Sequence, residues 1–240
     1  MHKHFRVVLM MGGLSLAIIG SAPRPAWAQS VTVGTVDRLN CLPFNCPSAF
    51  SGLTGYQQVF AGSIFGGPVQ FNQLGFFSAG IEEFGPPVYS AATYTFSFGY
   101  TNTNVGDLSP ALGANFSSPS TLFASMNLSG LVPDKLIVSG TPFVYDPSLG
   151  NLLLDIGITN ATESGTPSFE AGEGTTCSRA YSFSAGSVSP SGADPVCLVT
   201  EIDYSSVTGA SVVPEPATLS LLATGLVGVA GAGLRRRKKA

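Results

Sequence analysis

Apolar and polar side chains alternate with a period of two through most of residues 29–204. Tyr94, Phe96, Phe98 and Tyr100 are interleaved with Thr95, Ser97, Gly99 and Thr101. In extended backbone successive side chains point to opposite sides, so this spacing puts four aromatics on one face of a strand. Leu122, Ala124, Met126 and Leu128 repeat the pattern, as do Leu152, Leu154, Ile156 and Ile158, with Asp155 and Gly157 facing the other way. Further strands are predicted at 31–36, 56–60, 69–77, 135–139, 143–145, 180–184 and 198–204. Gly66-Gly67-Pro68, Gly85-Pro86-Pro87, Ser118-Pro119-Ser120, Asp146-Pro147 and Ser189-Pro190-Ser191-Gly192 punctuate them as turns. No amphipathic helix of useful length interrupts the series. The expectation is one all-β domain at 29–204, two antiparallel sheets packed as a sandwich. Residues 159–176, rich in Glu, Gly, Thr and Ser, are expected to form a long surface loop or hairpin tip, and 205–212 a linker.

Both ends break the pattern. At the N-terminus Lys3 and Arg6 precede an apolar run at 7–19, and Ala26-Trp27-Ala28 follows. That is the order of a signal peptide: basic region, apolar region, small-residue cleavage site. Residues 1–28 are therefore predicted to be removed through the Sec machinery and signal peptidase, leaving Gln29 first. At the C-terminus Ala217–Leu234 is 18 residues without a charge. As a helix it reaches about 27 Å, enough for a hydrocarbon core. Arg235, Arg236, Arg237, Lys238 and Lys239 follow and would hold that end in the cytoplasm, with everything before the span outside it. Just before the span stand Val213, Pro214, Glu215 and Pro216. Each proline lacks an N–H and restricts its neighbour to extended backbone, so Glu215 is presented as a strip that a protease can bind.

The motif Val213-Pro214-Glu215-Pro216, the span and the basic cluster together resemble the PEP-CTERM sorting signal of Gram-negative bacteria, over residues 213–239. The resemblance implies recognition and processing by exosortase, a membrane cysteine protease-transpeptidase of species that make exopolysaccharide. The inner membrane is then a transient station on the way to the cell surface or matrix. A weaker resemblance covers the body. Tyr56-Gln57-Gln58-Val59-Phe60, Phe71–Phe77, Pro142-Phe143-Val144-Tyr145-Asp146-Pro147 and Gly150-Asn151-Leu152-Leu153-Leu154-Asp155-Ile156 look like an ectodomain type that PEP-CTERM proteins carry. That likeness implies a jelly-roll-like sandwich and no particular activity.

Charge and residue content narrow the chemistry. Residues 29–212 contain three basic side chains, Arg38, Lys135 and Arg179, against thirteen carboxylates, a net −10 where the whole chain has −3. Such a surface cannot neutralise phosphates, which excludes nucleic acid as a partner. Both histidines, His2 and His4, lie in the leader. The mature domain therefore has no Ser-His-Asp or Cys-His machinery and no histidine-dependent zinc site. No catalytic residue, metal ligand or cofactor is assigned. Cys41, Cys46, Cys177 and Cys197 are an even set in an exported chain and are expected to be oxidised. Four cysteines allow three connectivities; Cys41–Cys46 and Cys177–Cys197 are favoured because each closes a local loop. Asp146 is expected to cap a turn, and Glu82-Glu83 to lie in a solvated loop. Asn115, Asn127 and Asn160, each in an N-x-S/T triplet, are taken as chance matches.

Three functional classes follow. The first is a non-catalytic surface or matrix protein, exported and sorted. The second is a carbohydrate-binding module, with or without calcium. The third is a carboxylate-based glycoside hydrolase, since carboxylates, hydroxyls and aromatics are the chemistry that remains. The histidine-free, lysine-poor body favours the first.

Overall fold

The computed structural model describes residues 28–47, 52–79, 86–162, 165–166, 168–187 and 189–207. These build thirteen strands: β1 (Ala28–Val33), β2 (Arg38–Asn40), β3 (Leu53–Phe60), β4 (Val69–Phe77), β5 (Ala92–Thr101), β6 (Thr121–Leu128), β7 (Lys135–Tyr145), β8 (Asn151–Thr159), β9 (Phe169–Glu173), β10 (Cys177–Phe183), β11 (Gly192–Asp194), β12 (Val196–Leu198) and β13 (Thr200–Ser206). They form a four-stranded sheet in the order β1-β13-β4-β7 and a six-stranded sheet in the order β11-β10-β3-β8-β5-β6. A small third sheet has the order β12-β9-β2. Every pairing within these sheets is antiparallel. Among the described residues no helix is long and apolar enough to cross a membrane; the apolar run Ala217–Leu234, expected to be a span, lies outside them.

The two large sheets share one apolar core. The aromatic face predicted at Tyr94, Phe96 and Phe98 is buried, and Tyr100 packs against its edge. From the opposite sheet Phe71 meets Phe98 at 5.4 Å between ring centres, Phe143 meets Phe98 at 5.3 Å, and Phe76 meets Phe96 at 6.3 Å. These are separations at which tilted or offset rings attract beyond simple burial. The third sheet closes one flank, and Phe44 is its plug. Fully buried in the turn between Cys41 and Cys46, Phe44 touches Phe76, Tyr94, Phe96 and Phe169.

One polar side chain ties the sheets together. Gln58 of β3 points into the core, where its Oε1 accepts from Tyr56 Oη at 2.7 Å and from the Leu198 backbone N–H at 2.9 Å. Its Nε2 donates to Leu198 O and to Thr200 Oγ1, both at 3.1 Å. The amide thus replaces a strand at the step from β12 to β13, where the backbone changes sheet. Buried polar groups need such partners, and here all of them are supplied.

Several expectations change. The strand predicted at 31–36 ends at Val33, because Gly34 takes φ +102° and turns the chain. Val36 is left exposed. The two short strands read at 135–139 and 143–145 are one, β7, with an irregularity between them. The stretch 159–176 is not all loop. It contains β9, paired on both sides, with Phe169 and Ala171 fully buried; two inward residues are too short a repeat to stand out in sequence. Finally β13 runs to Ser206, so Ser205 and Ser206, read as linker, belong to the domain. They are paired to β4, and Val207 N donates to Pro68 O at 3.0 Å. Pairing on both flanks holds β13 beyond its last apolar residue.

Candidate functional site

Both expected disulfides are present, Cys41–Cys46 and Cys177–Cys197. The second joins β10 to β12, and so links the six-stranded sheet to the small one. The first closes the Phe44 turn, where Asn45 N donates to Cys41 O at 2.9 Å. Beside these anchors lies an inter-sheet crevice of about 350 Å³, walled by Asn40, Leu42, Pro47, Arg179, Tyr181 and Phe183.

Arg179 sits at its inner end, with only 11% of its side chain exposed. It lies on the inward face of β10, in register with Gln58 on one side and Asp194 on the other. The guanidinium makes a fork with Asp194, Nε to Oδ1 at 2.8 Å and Nη2 to Oδ2 at 3.0 Å, and Nη1 donates to Asn40 Oδ1 at 2.6 Å. A bidentate pair of this kind holds a buried arginine without a charge deficit. Its carbon stands 5.5 Å from the Tyr181 ring centre, and Tyr181 meets Phe183 edge-on at 6.0 Å. Nothing in the sequence pattern singled out Arg179, Tyr181, Asn40 or Asp194. The signal available was that Arg179 is one of only three cations in the domain.

Carboxylates gather in two other places. Asp37 and Glu173 bracket Arg38, at 2.9 and 3.3 Å. The Arg38 hydrogen bond holds Asp37 below its ordinary range. On the four-stranded sheet Glu201 pairs with Lys135, and Asp203 lies beside them in a cleft with Ser30, Asn72 and Gln73. Partial burial first, and the neighbouring Glu201 second, push Asp203 up. Another carboxylate, Asp155, stands apart from both on the outer face of the six-stranded sheet. Gln57 Nε2 donates to it at 2.8 Å, Asn115 Nδ2 donates to Gln57 Oε1 at 2.8 Å, and desolvation raises its pKa against the Gln57 bond. Among the described residues no three of His, Cys, Asp and Glu converge.

Asp146 caps its turn as expected, accepting from Ser148 N at 2.9 Å, which keeps its pKa low. The Asn115 amide is buried and fully engaged with Gln57 and Ser109, which removes it as an acceptor of a glycan. Ala28 is the first residue of β1. Ala26, Glu82, Glu83, Val213–Pro216 and Arg235–Lys239 lie outside the described residues.

Residues 212–238 match the model of the PEP-CTERM protein-sorting motif. The chain carries a PEP-CTERM sorting signal. It spans the motif, the apolar run and most of the basic cluster, and it marks an exported protein that exosortase processes and that is sorted to the cell envelope. No curated protein matches the chain. The signal is thus tied to a β ectodomain stapled by two disulfides.

Proposed function

We propose that this is a non-catalytic surface or extracellular-matrix protein, delivered by exosortase from a transient inner-membrane anchor to the envelope or its exopolysaccharide. The observation that carries the reading is the C-terminal sorting signal at 212–238. The ectodomain supports it by what it offers: a rigid, disulfide-stapled β body with a net charge of −10 between residues 29 and 212. Such charge keeps an exported domain soluble and unattached until a dedicated machine places it. Among the described residues Asp37 and Glu173 are engaged with Arg38, Glu201 with Lys135, Asp194 with Arg179 and Asp155 with the Gln57 amide, all in structural pairs. The test is fractionation of cells with and without exosortase. The proposal expects surface or matrix material in the first and full-length protein in the inner membrane in the second; the same distribution in both would refute it.

A second reading has one observation in its favour. The crevice around Tyr181 combines an aromatic ring, an arginine with two N–H groups beyond its three bonds, and apolar walls. A sugar, with apolar C–H faces and hydroxyl edges, fits that mixture. Calorimetric titration of the mature domain with neutral oligosaccharides tests it. Binding weakened about tenfold by Tyr181→Ala, the loss of one stacking contact, supports a carbohydrate-binding module. No heat at millimolar ligand removes it.

A further inference from the structure

β1 is an edge strand, and its one neighbour in the sheet is β13. The two are paired from Ala28↔Ser205 to Val33↔Thr200. The first described strand therefore depends on the last, with 166 residues between them. Ala28 and Gln29 flank the bond at which the leader is read to end, and both are residues of this ladder, Gln29 opposite Tyr204. The cleavage bond lies inside the folded sheet and not ahead of it.

The side chains of Ala28, Gln29 and Ser30 are exposed, so they present no steric obstacle to an enzyme. The obstacle is the backbone. Proteases enclose a substrate as a single extended strand, and a segment held to β13 along one edge cannot enter such a cleft. Cleavage adds water across the Ala28–Gln29 amide, leaving a carboxylate on Ala28 and an amine on Gln29. It requires that segment to be free of β13.

We infer that leader removal is confined to the interval before β13 docks, and that completion of the four-stranded sheet closes the site. The inference rests on the reading of residues 1–28 as a leader. During export β1 emerges first and has no partner until the chain has passed residue 200. At about 5–20 residues per second of synthesis that interval is roughly 10–30 s. The interval is long enough for an ordinary proteolytic turnover. The pairing of β13 with β1 ends at Ser205, and the sorting motif at 213–216 follows it in sequence. Folding gates this processing step.

The test uses three purified precursors in detergent micelles with signal peptidase, without reductant. One is the full chain with its leader, folded. The second is truncated after Val199 and lacks β13. The third is the full chain with four residues, Gln-Ser-Gly-Ser, inserted between Ala28 and Gln29, which moves the bond out of the ladder and leaves the pairs of Gln29–Val33 in place. Expected is cleavage after Ala28 in the second and third at similar rates, and at least about tenfold slower in the first. Cleavage of a paired segment follows the population of its open form, and tenfold corresponds to about 1.4 kcal/mol of ladder opening. Equal rates for the folded full chain and the truncated one overturn the inference, as does protection of the insertion precursor. Failure of the truncated precursor to be cut after Ala28 overturns the leader reading, and the inference with it.

Discussion

At the scale of single residues, Gln58 and Asp155 show how this domain treats buried polar groups. Gln58 satisfies Tyr56 Oη, both backbone groups of Leu198 and Thr200 Oγ1. Gln58→Leu keeps the volume and strips all of these at once. Leu198 O and Thr200 Oγ1 keep their mutual hydrogen bond, so Tyr56 Oη and the Leu198 N–H are the groups that lose their partner; at about 1–3 kcal/mol for each, a loss of at least about 2 kcal/mol is expected in urea unfolding. A loss below about 1 kcal/mol would mean that the junction relaxes around the change. Asp155 has the opposite sign. Desolvation raises its folded pKa above the unfolded one. A raised carboxylate favours folding when protonated, below the unfolded pKa, and this contribution is lost as pH rises through the folded pKa. Asp155→Asn keeps the acceptor for Gln57 and removes the charge. It is therefore expected to melt above the wild type at pH 7, with the gap closing as pH falls through the raised folded pKa towards the ordinary aspartate range. A gap that widens on acidification would contradict the assignment.

At the scale of elements, the alternation was legible where it was long and uninterrupted. The range 69–77 coincides with β4, and the inward rows of β5 and β8 are those the period of two selects. β6 shows what periodicity cannot see. Leu122, Ala124, Met126 and Leu128 form a clean row in sequence, yet Leu122 is exposed and Phe123 buried. The cause is a bulge: Phe96 pairs with Ala124 and Ser97 with Leu122, so Phe123 is an extra residue and the face changes there. Gly140 on β7 comes close against the bulge, and a Cβ added there would lie 2.1 Å from Phe123 O. Gly140→Ala is thus expected to cost about 1–3 kcal/mol, by forcing the backbones apart. The same change at Gly66, whose added Cβ would meet nothing, should leave melting nearly unchanged. β2, β9, β11 and β12 were invisible for another reason. Each has three to five residues, too few to establish a period, and each is defined by the strands and disulfides around it. The disulfide pairing itself was readable, because each pair closes a local loop.

At the scale of the whole molecule, the ends of the chain say where it goes and the middle says little about what it does. A membrane span, a basic stop and a proline-framed motif act through length, charge and backbone stiffness, all of which are linear properties of sequence. The crevice at Arg179 and Tyr181 depends on β2, β10 and β11 meeting, which no linear pattern records. The central claim is that Pro214-Glu215-Pro216 commits this β domain to exosortase. The most direct measurement is the intact mass and cellular location of a variant with Pro214, Glu215 and Pro216 all replaced by alanine. The span Ala217–Leu234 and the cluster Arg235–Lys239 are untouched, so anchoring is preserved while recognition is lost. The account predicts leader-free but otherwise full-length protein retained in the inner membrane, where wild type is shortened at its C-terminus and reaches the surface or matrix. A variant with the same mature mass in the same final place as wild type would contradict it, and the tail would then be a membrane anchor and nothing more.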